Sequence, residues 1–131
     1  MNILLLLVLA QATTAPALPI DPARVEAEMA ADADVLRSLQ QNGDNPSISR
    51  PVDVRFVGSS KNISDLQKQI PALGWTIVQK VRLDNSEVAL DVQRNQTTDP
   101  AALRQLTEAA LRIEAQYGVH YDGWGTVATQ Q

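Results

Sequence analysis

Between residues 50 and 127 the apolar side chains repeatedly change period, and that succession constrains the fold more than any composition figure. Val52, Val54 and Phe56 alternate with Asp53 and Arg55, the period of two of a half-buried strand. Ile63, Leu66 and Ile70 then fall at helical spacing. That helix reads as capped by Asn62, disturbed in its last turn by Pro71 and ended by Gly74. A hairpin follows, with Trp75, Ile77, Val81 and Leu83 on one side and Thr76, Lys80 and Arg82 on the other. Asp84-Asn85-Ser86 makes its turn, and Val88, Leu90 and Val92 alternate with Glu87, Asp91 and Gln93. Asp99-Pro100 then opens a helix with Leu103, Leu106, Ala110, Ile113 and Tyr117 on one face and Gly118 as terminator. A last strand carries His120 to Val127.

The order βαββαβ predicts a ferredoxin-like α+β fold, an antiparallel sheet whose right-handed crossovers put both helices on one face. A further helix precedes it. Asp21-Pro22 gives its start, Val25, Met29, Leu36 and Leu39 its apolar stripe, and Gly43 its stop. That stripe is expected to pack against an edge or end of the core. At 131 residues the chain is one domain, and 44% apolar with 20% charged residues excludes wholesale disorder. It has no cysteine, which removes disulfides, thiolate metal sites and cysteine nucleophiles.

Ile3 to Ala10 is a nearly unbroken Leu/Val/Ile run, followed by Ala10-Gln11-Ala12 and Ala15-Pro16-Ala17, both small-x-small cleavage patterns. Residues 1–17 therefore read as a signal peptide, and 18–31 as a hinge and the start of the first helix. The run is too short for a stable membrane span, which takes about 20 apolar residues. A cleaved leader makes the protein periplasmic or secreted; a misassigned start makes it cytoplasmic.

The net charge of −4 is localised. Residues 21–45 hold six acids (Asp21, Glu26, Glu28, Asp32, Asp34, Asp44) against Arg24 and Arg37, while residues 46–131 balance. An acidic segment repels phosphate and favours a basic protein partner. The open sheet face is expected to show Asp53, Arg55, Lys80, Arg82, Glu87 and Asp91, a checkerboard of cross-strand pairs. It lacks the aromatics on which an RNA-recognition sheet stacks bases, since Phe56 and Trp75 have core parity. Direct nucleic-acid binding is not expected.

His120 and Asp122 share a face of the last strand, with Tyr121 on the other. Acid–base chemistry there would need a pocket and usually a third group. No metal-ligand set, cofactor motif or catalytic constellation accompanies them. Tyr121-Asp122-Gly123-Trp124-Gly125-Thr126 turns at Asp122-Gly123 and plugs the core with Trp124, or else leaves Tyr121 or Trp124 exposed as an interface anchor.

These segments resemble the RraB family, regulators of ribonuclease activity that inhibit ribonuclease E. The resemblance rests on Asp34-Val35-Leu36 with Leu39 and Gly43-Asp44, on Arg50-Pro51-Val52-Asp53-Val54-Arg55-Phe56, and on Gly74-Trp75. Leu103 through Tyr117-Gly118-Val119, followed by Tyr121 to Thr126, completes it. It covers residues 32–127, leaving 128–131 as a short tail. It implies a non-enzymatic domain that binds a basic, non-catalytic part of a ribonuclease. The interface expected on this reading is Asp32, Asp34 and Asp44 for steering, with Tyr121, Asp122 and Trp124 at the signature. An exported domain with an unrelated protein or ligand partner is the alternative, and a small enzyme using His120 and Asp122 is a third.

Overall fold

The two Asp-Pro pairs act as their chemistry predicts. Asp21 Oδ1 accepts the Ala23 N–H at 3.0 Å and Asp99 Oδ2 accepts that of Ala102 at 3.2 Å, each satisfying a helix-end donor. In the computed structural model, which describes residues 20–130, they open α1 (Pro22–Gln41) and α3 (Pro100–Tyr117). The leader read over residues 1–17 lies outside the described residues. Between the two helices come β1 (Arg50–Gly58), α2 (Ser60–Gln69), β2 (Thr76–Arg82) and β3 (Val88–Gln96), and β4 (His120–Gly125) closes the chain of elements. The second helix is capped differently from expectation. Ser59 Oγ accepts the Asn62 N–H at 3.1 Å, so Asn62 lies inside the first turn, free to donate from Nδ2 to the Gly118 carbonyl at 3.1 Å.

The four strands form one antiparallel sheet in the order β2-β3-β1-β4, the ferredoxin-like arrangement. Val52, Val54, Phe56, Leu90 and Val92 point to the helix side, where Ile63, Leu66, Leu106 and Ala110 meet them. All nine are essentially without solvent contact. Tyr121 joins the same core, its ring tilted against Phe56 at 6.0 Å. Trp75 is also inside, with the Arg94 guanidinium 4.1 Å over its ring.

Two register shifts decide which side chains face where. On β2, Ile77 pairs with Val92 but Gln79 pairs with Asp91, so Val78 is an extra residue. A bulge of one residue reverses the parity of everything beyond it. Lys80 and Arg82 therefore fall opposite the inward Leu90 and Val88, on the helix side, and leave the open face to which alternation assigned them. Lys80 Nζ reaches Gln67 Oε1 on α2 at 3.0 Å. Glu87 lies just before β3, in the turn, and accepts from Asn85 Nδ2 at 2.8 Å. On β4, Tyr121 pairs with Phe56 and Trp124 with Val54, so an extra residue is accommodated at Asp122-Gly123, where Gly123 has φ +97°. Tyr121 and Trp124 consequently share the inner side, and His120, Asp122 and Gly125 share the outer one.

The leading helix lies against α3, and its stripe is only partly covered. Val25, Met29 and Leu36 are half-buried, whereas Asp32 and Leu39 are buried. Arg24 fastens its first turns, donating to Glu114 at 3.2 and 2.9 Å and to the Tyr121 carbonyl at 3.1 Å. At its far end Asp44 and Arg50 form a buried ion pair at 2.6 Å, with side chains 2% and 4% exposed. Burial pushes the Asp44 carboxyl up, but the Thr129 N–H at 2.8 Å and the Arg50 guanidinium outweigh it and hold it below the usual carboxylate range. Residues 128–130 are thereby drawn onto this corner, where Asn45 N–H also donates to the Thr129 carbonyl at 2.7 Å.

Candidate interaction surface

The face of the sheet opposite the helices can be written as rows from the register alone. Gln79, Asp91 and Arg55 form the central row, closed by Asp122 at the β4 bulge. Thr76, Gln93, Asp53 and Gly125 form the row on one side of it. Val81, Ala89, Val57 and His120 form the row on the other. Three carboxylates and one guanidinium thus occupy this face. Arg55 is held by Asp91, Nε to Oδ1 at 2.7 Å and Nη2 to Oδ2 at 3.0 Å, a bidentate pair to which Gln79 Nε2 adds a bond of 2.7 Å. The Arg55 pair first, and the Gln79 amide after it, keep the Asp91 carboxyl below its ordinary range despite burial. A cleft of about 390 Å³ runs across this face, lined by Asp53, Arg55, Asp91, Asp122, Gly123 and Gly125 and reaching Val78 on β2.

The expected interface divides sharply when placed on the structure. Asp34 and Asp122 are on the surface, with side chains 71% and 52% exposed, and Asp34 pairs with Arg37 one turn on. Trp124 is half-buried. Asp32, Asp44 and Tyr121 are enclosed in the fold, so none of the three offers a side chain for a partner to touch. Asp32 is buried between α1, α3 and β4. It accepts from Thr107 Oγ1 at 2.7 Å and from Trp124 Nε1 at 2.8 Å. Asp44 is enclosed with Arg50. Tyr121 is buried beside Phe56, and burial, with the Asp32 charge behind it, pushes its phenol up. Five of the six acids of residues 21–45 have partners among the described residues, although Arg50 is the one cation that reaches them from outside the segment. Asp21 caps a helix, Glu28 pairs with Arg24, Asp34 with Arg37 and Asp44 with Arg50.

The sequence carried a signal for Asp32. Val25, Met29, Leu36 and Leu39 leave a gap of seven residues in their stripe, and position 32 fills it at spacings of three and four. An acid in phase with an apolar stripe points inward. Gln79 carried the corresponding signal for the β2 bulge, since strict alternation from Ile77 would have put an amide into the core.

His120 and Asp122 do share the outer face, yet His120 Nε2 stands 4.0 Å from Asp122 Oδ1, beyond hydrogen-bonding distance. Its other nitrogen is 3.5 Å from Glu114 Oε1. Glu114 itself is committed to Arg24 and to the Tyr121 N–H at 2.8 Å. His120→Ala is accordingly expected to leave both the melting temperature and any partner affinity near the wild-type values. Calorimetry and a binding titration check this. Among the described residues no group of three or more His, Asp or Glu side chains could hold a metal ion, and no helix is long and apolar enough to cross a membrane.

Fold and surface together define a small α+β domain whose outward chemistry is a charged sheet face with a cleft. Residues 29–126 match the family described as Regulator of ribonuclease activity B, RraB, and the chain belongs to that family. It is 28% identical over 109 residues to a Regulator of ribonuclease activity B from Shewanella amazonensis, covering 78% of this chain and 76% of that protein. It is also 28% identical over 99 residues to one from Colwellia psychrerythraea, covering 70% of this chain and 84% of that protein.

Proposed function

We propose that this protein is a non-catalytic inhibitor that binds a ribonuclease of the ribonuclease E type through its basic, non-catalytic region. The observation that carries this reading is the family match, which spans all four strands and both crossover helices. The open face supports it, because a cleft bearing three carboxylates against one guanidinium favours a basic protein segment and disfavours RNA. Asp34, Asp122 and Trp124 remain the accessible members of the expected interface.

The test is RNA cleavage by the purified ribonuclease with and without this protein, using the full-length enzyme and a form lacking its basic region. Inhibition of the full-length enzyme alone is the expected result, weakening as salt is raised. Equal cleavage rates at every protein concentration would sink the proposal. The leader-like residues 1–17 favour a second reading, an exported domain with an unrelated partner. Mature protein beginning near Thr13 or Leu18 outside the cytoplasm decides for it.

A further inference from the structure

Gly125 has no conformational reason to be glycine. Its backbone lies outside the left-handed region, and a Cβ built on it would meet no atom of the described residues within 4 Å apart from its two chain neighbours. The other glycines of this part of the fold are accounted for. Gly123 supplies the φ of +97° that the β4 bulge requires, and a Cβ on Gly58 would lie 3.1 Å from Val119. A glycine in a strand costs stability relative to a residue with a side chain. Where neither φ nor crowding explains it, its physical use is to let another group approach the backbone. Gly125 is the Cα partner of Asp53 and forms part of the floor of the open-face cleft.

The charges around that floor are incompletely paired. Arg55 is committed to Asp91. Asp53 accepts one side-chain hydrogen bond, from Gln93 Nε2 at 2.8 Å, and Asp122 accepts none from the described residues. An ionised carboxylate has room for several donors, so both retain acceptor capacity toward the cleft. Across four strands about 4.8 Å apart the cleft spans roughly 14 Å, the reach of about four extended residues.

Resting on the reading of this protein as a partner-binding regulator, we infer that the cleft receives an arginine side chain from an extended basic segment of the partner. Its guanidinium lies between Asp53 and Asp122, and its stem lies against the bare backbone of Gly125. Arginine fits better than lysine because its planar fork of donors can serve two separate carboxylates, whereas an ammonium is a single point of charge.

Gly125→Val fills the cleft while leaving every charge in place, and Asp122→Lys blocks it from an exposed position without altering the backbone at Gly125. Asp65→Asn, a half-exposed carboxylate on α2 on the other side of the sheet, is the control. Two probes are titrated calorimetrically: the isolated basic region of the ribonuclease, and a blocked peptide of alternating arginine and glycine with its lysine counterpart. Both cleft variants are expected to lose about tenfold or more in affinity for the basic region and the arginine peptide. The control should bind as wild type, and the lysine peptide should bind wild type more weakly. If wild type inhibits the ribonuclease and both cleft variants inhibit it equally well, the cleft is overturned and the functional reading stands. If wild type inhibits no ribonuclease, the functional reading has failed and the arginine peptide decides. Loss of peptide binding in the variants then sustains the cleft. Equal binding, or preference for an RNA oligonucleotide, overturns it.

Discussion

Arg50→Ala is expected to destabilise the domain by about 3–5 kcal/mol, against a total of about 5–15 kcal/mol for a domain of this kind. The guanidinium donates to Asp44 at 2.6 Å, to the Ile48 carbonyl at 2.8 Å and to the Asn45 carbonyl at 2.5 Å. Removing it leaves an enclosed carboxylate and two carbonyls without their donor. The pH dependence identifies the cause. In the wild type the Asp44 carboxyl titrates below its unfolded value, so its contribution is present above about pH 4 and is lost as pH falls through the folded value. In the variant, burial without the guanidinium favours the protonated acid, so falling pH relieves the defect. Denaturant titrations should show the gap between the two proteins widest near neutrality and narrowing in acid. A gap independent of pH would mean that lost packing, and no stranded charge, explains the deficit.

Asp32→Ala is expected to cost about 2–4 kcal/mol, with Asp34→Ala two residues away changing stability by less than about 0.5 kcal/mol. Both are acids on the same helix and both read from sequence as steering charges. Asp32, however, holds the Thr107 hydroxyl and the Trp124 indole N–H, so its removal orphans a fully buried donor and detaches α1 from β4. Asp34 meets Arg37 in solvent, where an ion pair contributes little. Thermal melts measure both costs. The Trp124 emission shifting in the Asp32 variant, while Trp75 stays packed under Arg94, would localise the change. An Asp32 variant with unaltered stability and slower partner association would restore it to the surface role.

The fold was legible because its signals were local and repeated. Two Asp-Pro caps, three apolar stripes and three alternating runs mark the elements, and a right-handed βαββαβ chain leaves little choice of sheet order. What was not legible depended on single residues that break a period. Val78 and the Asp122-Gly123 step each insert one residue, and parity arguments fail beyond such a point, as Lys80 and Arg82 show. The surface was misread for a related reason. Charge counted along residues 21–45 says nothing about partners distant in sequence, and Thr107, Trp124, Glu114 and Thr129 bind that segment from the other end of the chain. Gly125 stood in plain view within the signature, but its spare room is visible only when the neighbouring strands are in place.

The two central strands, β1 and β3, pair without a shift, while β2 and β4, the two outer ones, are each bulged. A long flat outer strand is an open template, and another chain can add to it and continue the ladder into fibres. A kinked one is a poor template, and here neither side of the sheet offers a straight run for a newcomer to copy. The same irregularities that confuse a reading of parity therefore discourage self-assembly through the edges. A partner that meets the broad face as proposed would then make a contact that ends with that molecule and does not propagate.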